Sequence, residues 1–523
     1  MRFLLPFLAI LLATPAQAEW WEARTDHFII YSDSSQRDAR EFALKLERFD
    51  QSLRSLQRIK PDDRLSDARK VTIYRSGDIK DIAALAGAPG SGIAGFYIPR
   101  ASGPVAFVPS KEEIRQRSLY TDAQSQAAQT LDAETVLFHE YAHHFMFRHF
   151  AAAYPSWYVE GLAETYSTID FRDGAFHLGN PPQARAQALF GGLNYSIKRM
   201  LLSSDKPEAE DLFGRYTYGW LLTHFLTFEP SRQGQLLAYL RLINAGTPMA
   251  QAAEKAFGDL GRLEGDVERY LRKRPLPGAL VKPANYAEPA VAMRKLGPDE
   301  EAIMPVRSRS KVGVTKKVAP DVAADARAIG ARYPNSHLVQ LSLAEAELDA
   351  GNLDAAERAA DAAIAARPDS GEALYYKANV LLERAKADPK YSAGARAMFL
   401  AANRADPDHP GPLIGNYLTY RRAKQAAPEA ALIGLERAFL LAPYDGELRL
   451  TLASQLLAEK KGDMTRDLLI PLALAPHESK RAKALNEVVA LIEASKLDEA
   501  SKKLTARMTE EEDIKSGKKK GSD

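Results

Sequence analysis

The sequence predicts an α+β domain in the N-terminal half followed by an all-α solenoid, and three observations carry that reading. Near the start, short β-branched and aromatic runs, Phe28-Ile29-Ile30-Tyr31 and Val71-Thr72-Ile73-Tyr74, flank a long helical pattern. From about 126 to 275 the patterning is helical. From about 321 the composition turns rich in alanine and leucine, and Pro334, Pro368, Pro407, Pro443 and Pro476 punctuate it at steps of 34, 39, 36 and 33 residues. That spacing predicts stacked helix pairs, each closed by a residue that cannot continue a helix.

The chain has 523 residues, of which 46% are hydrophobic, enough for roughly two to four domains with cores of their own. A formal net charge of +2 offers no broad basic field for nucleic acid and no acidic field for cations. There is no cysteine, so disulfides and a lipid-anchored cysteine are excluded, and any metal site must use histidine and carboxylate ligands. Arg2, the apolar run Phe3 to Leu12 and the A-x-A site Ala16-Gln17-Ala18 read as a signal peptide. Cleavage after Ala18 is expected, giving a bacterial periplasmic or secreted protein that begins at Glu19. No later apolar run is long enough to span a bilayer.

Within 19–275 the elements follow in order. Phe28 to Tyr31 is a strand, Arg37 to Leu56 a helix and Val71 to Tyr74 a second strand. Gly95 to Ile98 and Val105 to Val108 flank Pro99 to Pro104 and read as a hairpin. A helix is expected from Asp132, as N-cap, to Phe150, and another after the break at Tyr154-Pro155-Ser156. Pro181, Pro182, Gly191 and Gly192 mark loops, and Tyr218 to Phe228 is a further helix. Residues 276–320 hold a run of prolines and then a basic stretch, Arg307 to Lys317, and read as a linker with a solvated charged face.

In the helical repeats, 321–505, the unit ending at Pro368 is the best formed. Leu343, Ala344, Gly351, Ala356, Ala363 and Pro368 fall where a tetratricopeptide-like repeat needs its packing and turn residues, and Leu452-Ala453 repeats the first pair. Asn416 falls where a leucine is expected. Residues 506–523 read as a disordered charged tail.

The chemistry concentrates in His139-Glu140-Tyr141-Ala142-His143, an HExxH motif. Two histidines four apart share one helix face and can grip one metal ion, and the intervening Glu140 can take a proton from an activated water. Glu160 lies 17 positions after His143, across the Pro155 break. Glu160 and Glu164 face the same way, so one can ligate and the other can hydrogen-bond a ligand histidine. Gly161 would let this second helix approach the first closely. His144 and His149 lie off the ligand face; His224 could approach from a later helix.

HEYAHH followed by PSWYVEGLAE resembles the gluzincin zinc metallopeptidases, in particular the peptidase-MA-like families whose second motif reads W-x-x-E-G-x-A-E. The resemblance implies a gluzincin-like peptidase domain over 19–275, with zinc held by His139, His143 and Glu160 and Glu164 supporting a ligand from behind. No third histidine follows at the spacing of the metzincins. The resemblance further implies an oxyanion donor at Tyr216, in Tyr216-Thr217-Tyr218-Gly219-Trp220, with Tyr218 its rival. It also implies a peptide-binding edge strand at Val105 to Val108. The expected whole is an exported zinc metallopeptidase acting on a peptide or protein, with repeats that bind a partner or substrate and fold separately from the catalytic part. The competing expectation is a catalytically silent periplasmic scaffold that works through its repeats.

Overall fold

The computed structural model describes residues 19–60, 65–91, 93–111, 133–150, 152–203, 212–273, 275–283, 287–474 and 479–515. The expected signal peptide, the Asp132 cap, Pro476 and His477 lie outside the described residues.

A six-stranded mixed sheet organises the N-terminal part. Its strands are β1 (Trp21–Arg24), β2 (Phe28–Ser32), β3 (Val71–Arg75), β4 (Phe96–Ile98), β5 (Val105–Val108) and β9 (Ala292–Lys295), in the order β4-β5-β3-β2-β1-β9. The β2–β3 and β3–β5 pairs are parallel and the others antiparallel. β5 therefore lies inside the sheet, and the edge strand of the hairpin is β4, not Val105 to Val108. The parallel step from β2 to β3 is made through α1 (Gln36–Gln57), capped by Ser35.

Both faces of this sheet are covered. Phe28, Ile30, Val71, Ile73, Ala106 and Val108 pack under α1 and under α3 (Ala133–His149), the helix that carries the HExxH motif. On the other face, Trp20, Ile29, Tyr31, Tyr74, Val105 and Phe107 meet α11 (Pro298–Val312), α12 (Ala319–Arg332) and α13 (His337–Asp349). Burying a large apolar side chain contributes roughly 1.5–3 kcal/mol. Six such groups match the whole net stability of a domain, so this face requires a cover.

The segment 276–320 is thus no open linker. β8 (Ala279–Val281) completes a small sheet with β6 (Asp170–Arg172) and β7 (Ala175–Leu178), β9 extends the main sheet, and α11 lies beneath it. Pro298 stands in the first turn of α11, where its missing N–H costs nothing. The basic run is a solvated face only at its end, where Lys316 and Lys317 are exposed. Arg307 is 7% exposed, and Lys311 pairs with Glu345 at 3.0 Å and Glu372 at 3.3 Å.

A second cluster of helices packs beside the sheet. α4 (Ser156–Ser167) lies between α3 and α7 (Leu212–Phe228), around a core of Trp157, Trp220, Phe225, Tyr239 and Tyr270.

The C-terminal region is an array of paired helices. α13 pairs with α14 (Leu353–Ala366), α15 (Gly371–Arg384) with α16 (Tyr391–Ala405) and α17 (Pro410–Arg422) with α18 (Glu429–Leu441). α19 (Gly446–Ala458) pairs with α20 (Gly462–Ala473), and α21 (Ser479–Glu493) with α22 (Leu497–Lys515). In the first four pairs the first helix starts three residues after a punctuating proline. Ser336, Ser370, His409 and Asp445 cap four of them by accepting from a backbone N–H. Ala344, Ala356 and Ala363 are fully buried where the helices touch, and Gly351 turns the chain at φ +77°. Asn416 is only half-buried, so the array does not need a leucine there. The last helix runs to Lys515, beyond the expected end of the repeats at 505. Among the described residues no helix is long and apolar enough to cross a membrane.

Candidate metal centre

α3 sits under the sheet by one face and shows the other to a cavity. Leu137, Phe138, Tyr141, Ala142 and Phe145 enter the core, with Phe138 stacked on Phe49 at 4.3 Å. Tyr141 locks the register of the helix by donating to Asp50 Oδ1 at 2.7 Å. Asp50 also accepts from Arg54 Nε at 2.5 Å, and His27 Nδ1 lies 2.5 Å from Glu47 Oε1. Burial pushes the Asp50 carboxyl up, but the charges of His27 and Arg54 outweigh it and hold the group below the usual range. His27, Glu47 and Asp50 lie close enough to hold an ion. With Arg54 and Tyr141 already on the carboxylate, the chemistry is that of a satisfied buried network.

The opposite face of α3 presents His139 and His143, one turn apart, and α4 brings Glu160 to them. His139 Nε2 lies 3.2 Å from Glu160 Oε2 and 3.1 Å from His143 Nε2, and His143 Nε2 lies 3.6 Å from Glu160 Oε2. Three atoms bound at 2.0–2.2 Å to a tetrahedral zinc stand about 3.3–3.6 Å apart. The triangle therefore fits one zinc ion, and two imidazoles with a carboxylate are a donor set it accepts. Glu160 is 2% exposed. Burial works against a charged His139, yet its hydrogen bond to Glu160 and that carboxylate's charge raise it to about 9. His143 Nδ1 is buried with no hydrogen-bond partner among the described residues.

Glu164 is placed differently from the simplest expectation. It makes no described hydrogen bond to a ligand histidine. Its Oε1 accepts from Arg185 Nε at 2.9 Å and Nη2 at 2.7 Å, although its charge still acts on His139. Arg185, on α5 (Gln183–Phe190), also lies over the rings of Phe213 at 5.0 Å and Tyr216 at 5.5 Å. No motif pointed to Arg185.

The two tyrosines separate clearly. Tyr218 donates to the Leu193 carbonyl at 2.8 Å, packs on Tyr195 and faces away from the cluster. The Tyr216 ring lies against the Arg185 guanidinium that holds Glu164, and burial, with the negative charges of Glu160, Glu140 and Glu164, raises its phenol, which stays protonated. His224, two turns further along α7, is remote from the site. Its Nε2 lies 3.1 Å from the Gly179 carbonyl, and Tyr270 Oη lies 2.8 Å from its Nδ1. Burial lowers it to about 4.

Gly161 also serves a different contact from the one expected. A Cβ there would collide with the Gly219 carbonyl and Thr223 Oγ1 of α7, so the close approach is to α7 and not to α3. His144 is buried, with Tyr97 Oη 2.5 Å from its Nδ1. Burial holds it well below the usual histidine range.

Glu140, His143 and Glu160 open onto a cavity of about 350 Å³. No family model matches the chain, and no curated protein matches it. Among solved structures, the chain is similar to a thermophilic TPR protein of Thermus thermophilus. The likeness has a TM-score of 0.30 and 16% identity, covering 37% of this chain and 98% of that one.

Proposed function

We propose that the protein is a zinc-dependent peptidase whose repeats engage a partner or its substrate, acting in the periplasm or outside the cell. The observation that carries this reading is the triangle of His139, His143 and Glu160, with Glu140 lining the same cavity. Zinc bound there would supply Lewis acidity to a scissile carbonyl and make water a nucleophile at neutral pH. Glu140 takes a proton from the attacking water and delivers it to the leaving nitrogen. The Tyr216 hydroxyl donates to the oxygen that gains charge as the carbonyl becomes tetrahedral. Arg185 holds Glu164 and covers the Tyr216 ring, so both keep their aim.

The test is metal content with turnover of an unfolded peptide substrate. The full chain should bind about one zinc, His139→Ala should lose it, and Glu140→Gln should keep it while losing about two to four orders of magnitude in turnover. Full zinc occupancy in His139→Ala would remove the ligand assignment. A zinc-loaded wild type without turnover would favour the silent scaffold.

A further inference from the structure

The cavity at the metal centre is not built by the N-terminal part alone. One side is Tyr97, Phe147 and Val159; the other comes from the repeats, where Pro443, Tyr444 and Leu472 stand beside the charged Asp445, Glu447, Arg449 and Arg481. The Tyr444 ring lies 4.6 Å from that of His144, the residue beside the ligand His143. The turn that carries it, between α18 and α19, is held firmly. Arg449, 3% exposed, donates to the Pro443 carbonyl at 2.8 Å and the Leu468 carbonyl at 3.4 Å. Asp445 caps α19 and accepts the Ala101 N–H at 2.6 Å, joining the turn to the β4–β5 loop. Ala101 is itself buried in the apolar cluster of α17 to α22.

We propose that this turn is a fixed roof over the metal centre and that Tyr444 is a specificity-determining residue. The repeats then select an extended peptide with an apolar side chain beside the scissile bond. The inference rests on the peptidase reading and deepens it. Within this mixed wall Tyr444 offers an apolar side chain a surface, and an aromatic ring gives it large area at little entropic cost. A roof anchored at both ends admits an extended segment and excludes the surface of a folded protein.

Zinc-loaded full-length protein, titrated calorimetrically with hydroxamates, separates the two readings. Acetohydroxamic acid reports the metal alone. Two larger hydroxamates, placing a leucine side chain on one or the other side of the chelating group, report the walls. Tyr444→Ala should weaken at least one larger compound about tenfold and leave acetohydroxamic acid unchanged; Tyr444→Phe should restore wild-type affinity. In the wild type, the larger compound should slow amide hydrogen exchange at 444–448 as well as in α3, a readout that needs no variant. Unchanged affinity for both larger compounds in Tyr444→Ala, or protection confined to α3 and α4, would overturn the roof. A wild type that fails to bind acetohydroxamic acid would bring down the metal reading itself, and this inference with it.

Discussion

Arg185 shows what a motif cannot announce. HExxH and the WxxEGxAE-like segment are local patterns, and their residues reach one point because helix periodicity puts i and i+4 on one face. Arg185 arrives from a short helix after a proline loop, and its pairing with Glu164 is a tertiary fact. The choice between Tyr216 and Tyr218 is equally closed to sequence: two residues apart on a helix they point to different faces, and in the packing of α7 Tyr218 turns to Leu193 while Tyr216 lies against Arg185. Tyr216→Phe should leave zinc content and melting temperature unchanged and lower turnover by about two orders of magnitude. If Tyr218→Phe does this instead, the assignment is wrong. His224 makes a prediction about pH. It is buried and neutral, and its folded value of about 4 lies below the ordinary 6.5. Its contribution is therefore fully present above about 6.5 and lost as pH falls towards 4, at roughly 1.4 kcal/mol per pH unit. The difference in unfolding free energy between the wild type and His224→Gln, followed from pH 7 to pH 4, should show this slope, and a difference independent of pH would refute it.

At the scale of elements, the apolar runs and the proline spacing were legible, because strand burial and helix termination are written locally. What was hidden was the company those elements keep. β9 is the four-residue polar run Ala-Met-Arg-Lys, which has no strand signature; it forms because β1 offers an unpaired edge. Gly161 was legible as a close-approach residue, but its partner was not. α4 and α7 meet through Gly161 and Gly219, each of which would strike the facing backbone if it carried a Cβ. Gly161→Ala should therefore force the helices apart and cost about 1–3 kcal/mol. Because Glu160 is the preceding residue, zinc affinity should fall with it. Equilibrium unfolding and metal competition measure the two effects, and an alanine variant with wild-type stability and affinity would show that α4 can move away without cost.

At the scale of the molecule, the sequence points to two modules joined by a linker, and the structure replaces that with one continuous arrangement. Phe-Ile-Ile-Tyr, Val-Thr-Ile-Tyr and Val-Ala-Phe-Val are apolar on both faces, the mark of strands covered twice, while the second cover comes from sequence that resembles a spacer followed by repeats. The array begins beneath the sheet with α11 to α13 and returns to the cavity of Glu140, His143 and Glu160 with α19 and α20, where Ile470 and Leu474 pack on the helical half. A chain ending near residue 290 keeps every expected metal ligand. It loses β9, and it exposes Trp20, Ile29, Tyr31, Tyr74, Val105 and Phe107 together. An apolar face of that size drives aggregation rather than independent folding. This shorter chain should therefore be insoluble or lack a cooperative unfolding transition, and zinc should not rescue it, because the ligands bind only where α3 and α4 are already packed. The opposite half loses the other side of the same interface, since α11 to α13 present Ile303, Met304, Val322 and Val339 to the sheet; only the helix pairs beyond α13 can rely on their neighbours alone. Circular dichroism melts and sedimentation of 19–290 decide the matter: a soluble, cooperatively folding, zinc-binding fragment would restore the picture of two separable modules.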